Sequence, residues 1–546
     1  MSSGIRTRRE KVLIAAIIVV VIANVCLAGY LYYRRFAAPR KNIIGVISID
    51  GPILSPEDAE PYIRLIDRAI TNDTIKAVVI RINSPGGRAD LIEQIYLDVL
   101  KLREVKPVVA SVTQALSGGY YIAVAADYIY VGPSSFIGSV GAVGVMPSTL
   151  IPSEVVIESG PYKATGFSKL LFPFNLSRVL DNFVAAVVKG RGERLKVRPD
   201  ELRKGLIYLG VEAVKLGLAD EVGSLQEAIE KAAEEAGIKE YEAVELKVAG
   251  EGSQSVRAMY PSEKPRLSNL TVDVLSRLQP PPSLWYLYMS SHSISPVVGE
   301  SEVESQEFGE GERLVLVDMT HGNKASVWEL DVLIAELARR NLTVRFVTEW
   351  EELESSLKNA TCLIVASPSV PYMPEEGEKI EEFVRKGGVL LLLYDPAYEY
   401  QGKQLFGPIN SLSAGFGLTF AKGYLYNEEH SYGLYRHIYV RDFAETPLTR
   451  NLTAIVLFTA THIRSPGAGV AWAPPDTYSS AAEKPGNYTV IAMRELNGTV
   501  IAVGDVTFLK EPYCYVEDNY QLLLNIVSIV SEAPGRELAQ TGEARD

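Results

Sequence analysis

A serine followed by two glycines, Ser117-Gly118-Gly119, is the feature of this sequence best suited to nucleophilic chemistry. It follows an apolar run that predicts a strand and precedes a segment that predicts a helix. The hydroxyl would then lie at a helix N-terminus, where amides and the helix dipole favour an anionic oxygen. An isolated Ser-Gly-Gly is most often only a glycine turn with an N-cap serine. Ser117 is therefore a candidate nucleophile that needs a base and further donors.

The base cannot be a histidine from the same part of the chain. The five histidines are His292, His321, His430, His437 and His462. A Ser-His-Asp triad confined to the first half is excluded, and the base must be a lysine or a carboxylate. The three cysteines are Cys26, Cys362 and Cys514. Because they are odd in number and far apart, they predict neither a disulfide framework nor a cysteine zinc site.

A second pair of glycines ends the segment Asn83-Ser84-Pro85-Gly86-Gly87, directly after another predicted strand. Paired glycines allow backbone amides to approach a substrate carbonyl closely, although alone they indicate only a turn. Taken together, the order of four motifs is more specific than any one of them. They are Ile82 to Gly87, Ser117 to Ala123, Ile137 to Gly141, and Ser159 to Lys163.

This order resembles the signal peptide peptidase A family of membrane-bound serine proteases, which share the fold of the crotonases and of the Clp protease. The resemblance runs from about Ile43 to Ala228. It implies that Ser117 is the nucleophile, that Lys163 is the general base, and that the Ser139 hydroxyl helps to position the lysine. No metal or cofactor is implied.

The resemblance further implies that an oxyanion hole is formed by amides near three glycines, Gly86, Gly87 and Gly118. Leu116 stands where relatives commonly have a smaller residue, which affects the expected shape of the pocket. A lysine acts as a base near neutral pH only if burial lowers its pKa from about 10.4. The neighbours Tyr162 and Phe167 are consistent with an apolar setting for Lys163. Lys169 is the rival candidate.

The resemblance also suggests how the chain assembles and what it cleaves. With one peptidase unit per chain, Ser117 of one protomer is expected to meet Lys163 of its neighbour in a homo-oligomeric ring. Expected substrates are remnant signal peptides or other membrane-derived peptides. The alternatives are a site-specific protease of a stomatin-like membrane protein, a crotonase-type acyl-CoA enzyme that needs neither residue, and a non-catalytic membrane scaffold.

A membrane anchor is predicted near the start of the chain. Val12 to Tyr33 contains no charged residue and would span roughly 33 Å as a helix. Its length and terminal tyrosines favour an uncleaved, single-pass anchor over a cleaved signal peptide. Basic residues flank both ends and do not fix the orientation. Eight Asn-x-Ser/Thr triplets spread along the rest of the chain favour an extracytoplasmic location for the catalytic domain.

Composition and periodicity set the wider architecture. The 546 residues are 47% hydrophobic and carry a net charge of -13, which disfavours nucleic acid as a partner. Alternating apolar strands and amphipathic helices predict two α/β units with mainly parallel sheets. The predicted divisions are an anchor (1–41), a peptidase domain (42–290), an acidic linker (291–312), a second α/β domain (313–533) and a C-terminal tail (534–546).

Three segments of the second α/β domain, residues 387–396, 445–453 and 502–527, resemble the class I glutamine-amidotransferase-like fold, a Rossmann-like sandwich. Amidotransferases carry a nucleophilic cysteine at a strand-helix elbow, but Cys362 opens a predicted strand and Cys514 lies in a predicted loop. We therefore predict a non-catalytic binding or assembly module. Asp395 and Asp505 end two apolar strands and mark either a ligand site or backbone capping. The aromatic residues Tyr120, Tyr121, Trp285, Tyr286 and Tyr288 either line a groove or belong to ordinary packing.

Overall fold

A computed structural model describes the protein at residues 3–32, 42–146, 162–163, 165–248, 271–279, 283–289, 306–311, 313–399 and 405–533. The chain forms two compact units in addition to its apolar N-terminal helix. Unit 1 comprises residues up to Val140 with 186–198 and 205–258, and unit 2 comprises 141–185, 199–204 and 259–546. The domain bounds given above remain predictions. Most of the predicted linker and the whole predicted tail lie outside the described residues.

The N-terminal helix α1 covers Ser3–Tyr32. Its segment Lys11–Tyr30 is long and apolar enough to cross a membrane, with a mean hydropathy of 2.9. The side chains of this segment are exposed in the part of the protein that the structure describes. A helix of this length and composition is compatible with the predicted anchor.

Unit 1 is built on a seven-stranded sheet, which supports the predicted α/β class. Its strands are β1 (Ile43–Asp50), β2 (Ile75–Ser84), β3 (Val108–Leu116), β4 (Tyr128–Gly138), β5 (Ile207–Leu209), β6 (Glu221–Val222) and β7 (Glu242–Glu245). The order is β5-β4-β3-β2-β1-β7, with β6 also paired to β4. All pairs are parallel except β4 with β5. The inner strands are almost continuously apolar because parallel sheets are covered on both faces.

Helices of unit 1 cover this sheet. They are α2 (Pro56–Thr71), α3 (Ala89–Arg103), α4 (Gly118–Ala123), α7 (Gly210–Lys215) and α8 (Leu225–Glu235). Helices α5 (Phe172–Arg191) and α6 (Pro199–Leu202) follow β4 in the chain, and most of α5 and all of α6 belong to unit 2. Ser55 is the N-cap residue of α2 and Pro56 is its first residue, a position that favours proline. On one face of the sheet, Val46 and Val79 pack against Ala232 of α8. Tyr120 and Tyr121 are buried, which identifies them as core residues.

The sequence from Leu176 to Leu225 predicts a helical segment, and this prediction is wrong. Only α5 is long, and the short strand β5 interrupts the rest by pairing antiparallel with β4. Phe136 lies opposite Leu209 in that pairing. Such an edge pairing joins residues about seventy positions apart, so helical periodicity in a sequence window does not report it.

Unit 2 is built on a nine-stranded mixed sheet. Its strands are β8 (Glu307–Phe308), β9 (Arg313–Asp318), β10 (Leu342–Val347), β11 (Ala360–Ala366), β12 (Val389–Leu393), β13 (Asp442–Phe443), β14 (Gly469–Trp472), β15 (Thr489–Glu495) and β16 (Thr499–Val503). The order is β8-β10-β9-β11-β12-β16-β15-β14-β13, and the five strands from β10 to β16 in this order are parallel. The turn Asn497-Gly498 between two apolar runs predicts a hairpin, and β15 and β16 form this hairpin.

The remaining elements of unit 2 are shorter. The helices are α9 (Val272–Leu278), α10 (Val327–Arg339), α11 (Trp350–Ser356), α12 (Pro374–Arg385), α13 (Phe406–Ser413) and α14 (Asn519–Glu532). Further strands are Val143–Val145, Ser283–Leu287, Thr419–Phe420, Leu425–Tyr426, His437–Val440, Ile455–Phe458, Ile463–Arg464, Tyr478–Ser479 and Lys484–Pro485. Trp285 and Tyr286 lie in one of these strands and are fully buried, so they too are core residues.

Candidate active site

Ser117 occupies the junction between the end of β3 and the start of α4. Its backbone has φ 50° and ψ −120°, and only 2% of the residue is exposed. Its amide donates a hydrogen bond to the carbonyl of Gly138 at 2.8 Å. A serine with positive φ is strained, and such strain persists where surrounding contacts impose it, which is common at active sites.

Ser139 follows the neighbouring strand β4 and has a similar backbone, with φ 52°. Its amide donates to the carbonyl of Leu206 at 2.8 Å. Leu116 and Gly138 are register partners in the parallel pair of strands. Since Ser117 and Ser139 each follow one of these partners, the fold brings the two serines to adjacent strand ends. Ser117, the nucleophile implied by the resemblance, and Ser139, the supporting serine implied by it, therefore lie at one edge of the sheet.

The predicted oxyanion glycines are buried at the same edge, but they are not equivalent. A side chain at Gly87 would lie 1.9 Å from the carbonyl oxygen of Ile53, so only glycine fits there. The Gly86 amide donates to the Ser84 hydroxyl at 3.1 Å, and that hydroxyl donates to the carbonyl of Gly51 at 2.8 Å. The Gly86 amide would have to break its hydrogen bond to the Ser84 hydroxyl before it could donate to a substrate carbonyl.

Ser84 was not assigned a role from the sequence, although it stands inside one of the quoted motifs. A side chain at Gly119 would lie 2.5 Å from the carbonyl oxygen of Ser84. The turn after Ser117 therefore packs directly against the end of β2. Tyr120 in α4 donates its hydroxyl to the carbonyl of Leu218 at 2.8 Å. These contacts fix the helix that begins just after Ser117. The signal that could have found Ser84 is its place between a strand and two glycines.

Lys163 belongs to unit 2 and lies exposed on a turn that the Gly166 amide closes by donating to the Tyr162 carbonyl at 2.7 Å. The residues described around it do not supply the apolar burial that the sequence suggested. The first three residues of its motif, Ser159 to Pro161, lie outside the described residues. The rival Lys169 is partly buried, and this burial, together with the charge of Lys510, lowers its pKa.

The carboxyl ends of the strands in unit 2 carry a second polar cluster that the sequence did not reveal. His321 contacts Asp318 through Nδ1 at 3.0 Å and Glu376 through Nε2 at 3.1 Å, and its ring stacks on Tyr372. Burial opposes charge on His321, but the hydrogen bonds to the two carboxylates outweigh it and raise its pKa. Burial likewise opposes ionisation of Asp318, yet bonds from His321 and Tyr372 keep its pKa low.

Asp395 and Asp505 are fully buried and act as backbone caps. Asp395 accepts from the Ala397 amide at 2.8 Å and the Thr507 hydroxyl at 2.8 Å. Asp505 accepts from the Phe458 amide at 2.7 Å. Burial raises the pKa of both carboxyls, and the charge of Asp395 raises that of Asp505 further. The capping alternative is therefore the one observed among the described residues.

Three exposed residues of unit 2, Glu429, His430 and Asp476, bring potential metal-ligand atoms within 4.8 Å of one another. His430 Nδ1 already pairs with Asp476 at 2.9 Å. This arrangement is explained by a surface ion pair, which needs no cation.

Known proteins are similar in sequence to the part of the chain that surrounds Ser117. Residues 101–239 match the model of Peptidase family S49. Protease 4 of Haemophilus influenzae is 32% identical over 212 residues, which are 35% of this chain and 34% of that protein. The chloroplastic serine protease SPPA of Arabidopsis thaliana is 30% identical over 211 residues, 35% of this chain and 31% of that protein.

The predicted resemblance to the signal peptide peptidase A family is thus confirmed for this part of the chain. The chain spans about a third of the length of these two relatives. A solved membrane-bound stomatin-specific protease with a substrate peptide is 22% identical and covers 38% of this chain and 94% of that chain, with a TM-score of 0.28. A TM-score this low does not show that the two proteins share a fold.

Proposed function

We propose that this protein is a membrane-anchored serine endopeptidase that uses Ser117 and Lys163 as a Ser-Lys dyad. One observation carries the proposal. Ser117 is held in a strained conformation at a strand-helix junction, inside the segment that matches a peptidase family. A plain N-cap serine needs no positive φ, because N-cap residues ordinarily adopt extended backbone.

In the proposed reaction, the neutral amine of Lys163 accepts the proton of the Ser117 hydroxyl as Oγ attacks the peptide carbonyl carbon. The carbonyl electrons move to oxygen, and amides at Gly87 and Gly118 stabilise this oxyanion. The lysine then donates its proton to the leaving amine. Water, activated by the same lysine, attacks the acyl-enzyme and releases the second product. Ser139 orients the lysine throughout.

The exposure of Lys163 supports a site shared between protomers. A lysine that is to act as a base near neutral pH must lose its water, because desolvation disfavours the charged ammonium. The described residues of one chain leave Lys163 exposed. A neighbouring protomer in a ring, or the bound peptide, would supply the missing dry surroundings.

The apolar helix α1 supports a location at the membrane, and the spread of Asn-x-Ser/Thr triplets supports an extracytoplasmic peptidase. A peptidase tethered in this way meets peptides that leave the bilayer. The proposed substrates are therefore extended, apolar, membrane-derived peptides such as remnant signal peptides.

The test is cleavage of an apolar peptide by the full chain in detergent, comparing wild type with Ser117→Ala, Lys163→Ala and Lys169→Ala. Loss in the first two and retention in the third supports the dyad. Retained cleavage by Ser117→Ala refutes it, and loss in Ser117→Ala and Lys169→Ala with retention in Lys163→Ala transfers the base to the rival lysine.

Mixing the inactive Ser117→Ala and Lys163→Ala chains tests the shared site. Partial recovery of cleavage is expected because a wild-type pair forms wherever the intact Ser117 of one chain faces the intact Lys163 of the other. No recovery in oligomers shown to contain both chains would count against sharing. Resistance of the full chain to alkaline extraction from membranes, compared with a chain lacking residues 1–41, tests the anchor.

A further inference from the structure

The segment that follows Lys163 is packed onto the C-terminal α/β part of unit 2. Phe174 in α5 meets Tyr432 edge to face, with ring centroids 4.9 Å apart. The backbone of Gly433 approaches the same ring so closely that a side chain there would lie 2.9 Å from it. Edge-to-face aromatic pairs add to the free energy of simple burial. Phe174 is thus fixed by residues some 260 positions away.

A second contact holds the same segment. Leu170 packs against a small apolar cluster made of Val456, Phe458 and Val516, which Tyr432 also joins. The contacts of Leu170 and Phe174 lie on both sides of Leu171. The C-terminal part of unit 2 therefore fixes the position of the chain a few residues beyond Lys163.

Between these contacts lies a cleft of about 480 Å³. It is lined by Tyr162, Gly166, Phe167, Ser168, Leu171, Phe174, Asn175, Arg178 and Tyr432. Its volume falls within the range of sites that bind small ligands or large side chains. Tyr162 immediately precedes Lys163, so the cleft begins beside the proposed general base.

The lining defines the chemistry of an occupant. Tyr162 and Leu171 are 55% and 57% exposed, which is unusual for large apolar side chains gathered in one place. Arg178 is the one charged residue among the nine that line the cleft, and none of the nine is acidic. A large apolar or aromatic side chain would therefore gain contacts, whereas a lysine or arginine side chain would meet a like charge.

We propose that this cleft binds an apolar side chain of the peptide substrate and that Tyr432 is a specificity-determining residue. The proposal rests on the proposed peptidase function. The occupant is a peptide because the cleft adjoins the residue that would act on the peptide bond. The C-terminal part of unit 2 then contributes to substrate selection as well as to the packing of the segment that follows Lys163.

The experiment measures peptide binding separately from cleavage. Fluorescent peptides that differ only in a phenylalanine or an alanine at one position are titrated into the full Ser117→Ala chain. The position at which phenylalanine strengthens binding identifies the residue seated in the cleft. Adding Tyr432→Ala should weaken binding of the phenylalanine peptide about tenfold and leave the alanine peptide unchanged. Tyr435→Ala, which alters a tyrosine three residues away outside the cleft, is the matched control and should change neither affinity.

A second variant guards against an effect of misfolding. Ser168→Phe fills the cleft from a half-buried position in its lining without removing core atoms, and should abolish the preference for phenylalanine while the alanine peptide still binds. An unchanged preference in both variants overturns the proposal. So does a change of oligomeric mass in both, measured by light scattering, because a second copy of the chain would then occupy the cleft. Wild-type cleavage by Ser117→Ala would refute the dyad alone, because the binding comparison does not use catalysis.

Discussion

In each of the two large sheets of this protein a buried strand is followed by a strained serine, yet the surroundings of the two serines differ. Ser117 follows β3 with φ 50°, and Ser367 follows β11 with φ 48°. After Ser117 a glycine-rich helix begins at once. After Ser367 the next helix starts only at Pro374, and the Ser367 hydroxyl accepts a hydrogen bond from the Asp395 amide at 3.0 Å.

The comparison teaches that a strained serine after a strand is not sufficient for chemistry. In unit 1 the neighbouring strand ends carry hydroxyls and glycines. In unit 2 they carry acids, among them Asp318, Asp395 and Asp505, whose oxygens are occupied by side-chain and backbone donors. Buried carboxylates that cap amides stabilise a fold. These acids thus support the fold of the C-terminal part of unit 2, and the non-catalytic role of residues 313–533 stays a prediction.

The largest expected effect separates the two serines. Ser117→Ala should lower the cleavage rate by roughly 10⁴-fold or more, as expected for loss of a nucleophile. Ser367→Ala should leave the rate unchanged and lower the free energy of unfolding by about 1 kcal/mol or more, since the buried Asp395 amide loses an acceptor. Equal losses of cleavage at constant stability would abolish the distinction between the two sheets.

The second largest effect is a loss of stability expected at the cluster of His321, Asp318 and Glu376 in unit 2. His321→Phe should cost about 3 kcal/mol of unfolding free energy, because it leaves the buried Asp318 without its partner. The raised pKa of His321 means that its stabilisation is complete below its unfolded pKa of about 6.5 and is lost as the pH rises through the folded value. Chemical denaturation should therefore show a larger gap between wild type and variant at pH 6 than at pH 9.

His437 is a control for which the opposite dependence of stability on pH is expected. Burial lowers the pKa of His437 to about 3. Its contribution is therefore present above its unfolded pKa and is lost as the pH falls toward the folded value. The stability of wild type relative to His437→Phe should decrease on acidification. If both histidines gave the same pH trend, the charge assigned to the Asp318 cluster would be wrong.

A smaller effect compares glycines of the two units. Gly87→Ala should destabilise unit 1 by about 1–3 kcal/mol and impair cleavage, because the new methyl group collides with the Ile53 carbonyl. Gly377→Ala in α12 meets open space and should stabilise unit 2 by about 0.5–1 kcal/mol. Thermal melts and cleavage rates of the two variants check the pair. A neutral Gly87→Ala would show that the close approach is dispensable.

The smallest expected effect concerns Ser139. Ser139→Ala should lower kcat about fivefold, equivalent to one hydrogen bond of about 1 kcal/mol, with KM unchanged. Steady-state kinetics with one apolar peptide measure this. An unaltered kcat would remove Ser139 from the proposed mechanism and leave unit 1 with a single functional serine at this edge.

Much of the architecture could be predicted from the sequence because strands and helices follow local periodicity. The apolar run from Arg313 to Met319 predicts a strand, which is observed at Arg313–Asp318. The sequence also predicts a C-terminal helix from about Asn519, which is observed at Asn519–Glu532. Ser117 was placed at its strand-helix junction from an apolar run and two glycines. The candidate nucleophile and the supporting Ser139 remain predictions in role, although the register of β3 and β4 brings them to one edge.

Only the tertiary structure decided which distant residues meet. The histidine cluster joins β9 to α12 across 55 positions, and Tyr432 reaches Phe174 from a β-rich segment that no periodic pattern marked. The sequence by itself determined the elements, the strand-end serine and the apolar N-terminal helix, because neighbouring residues alone specify hydrophobic period and turn chemistry. Strain, burial and charge pairing arise from contacts between remote segments, so they became visible only once the chain was folded.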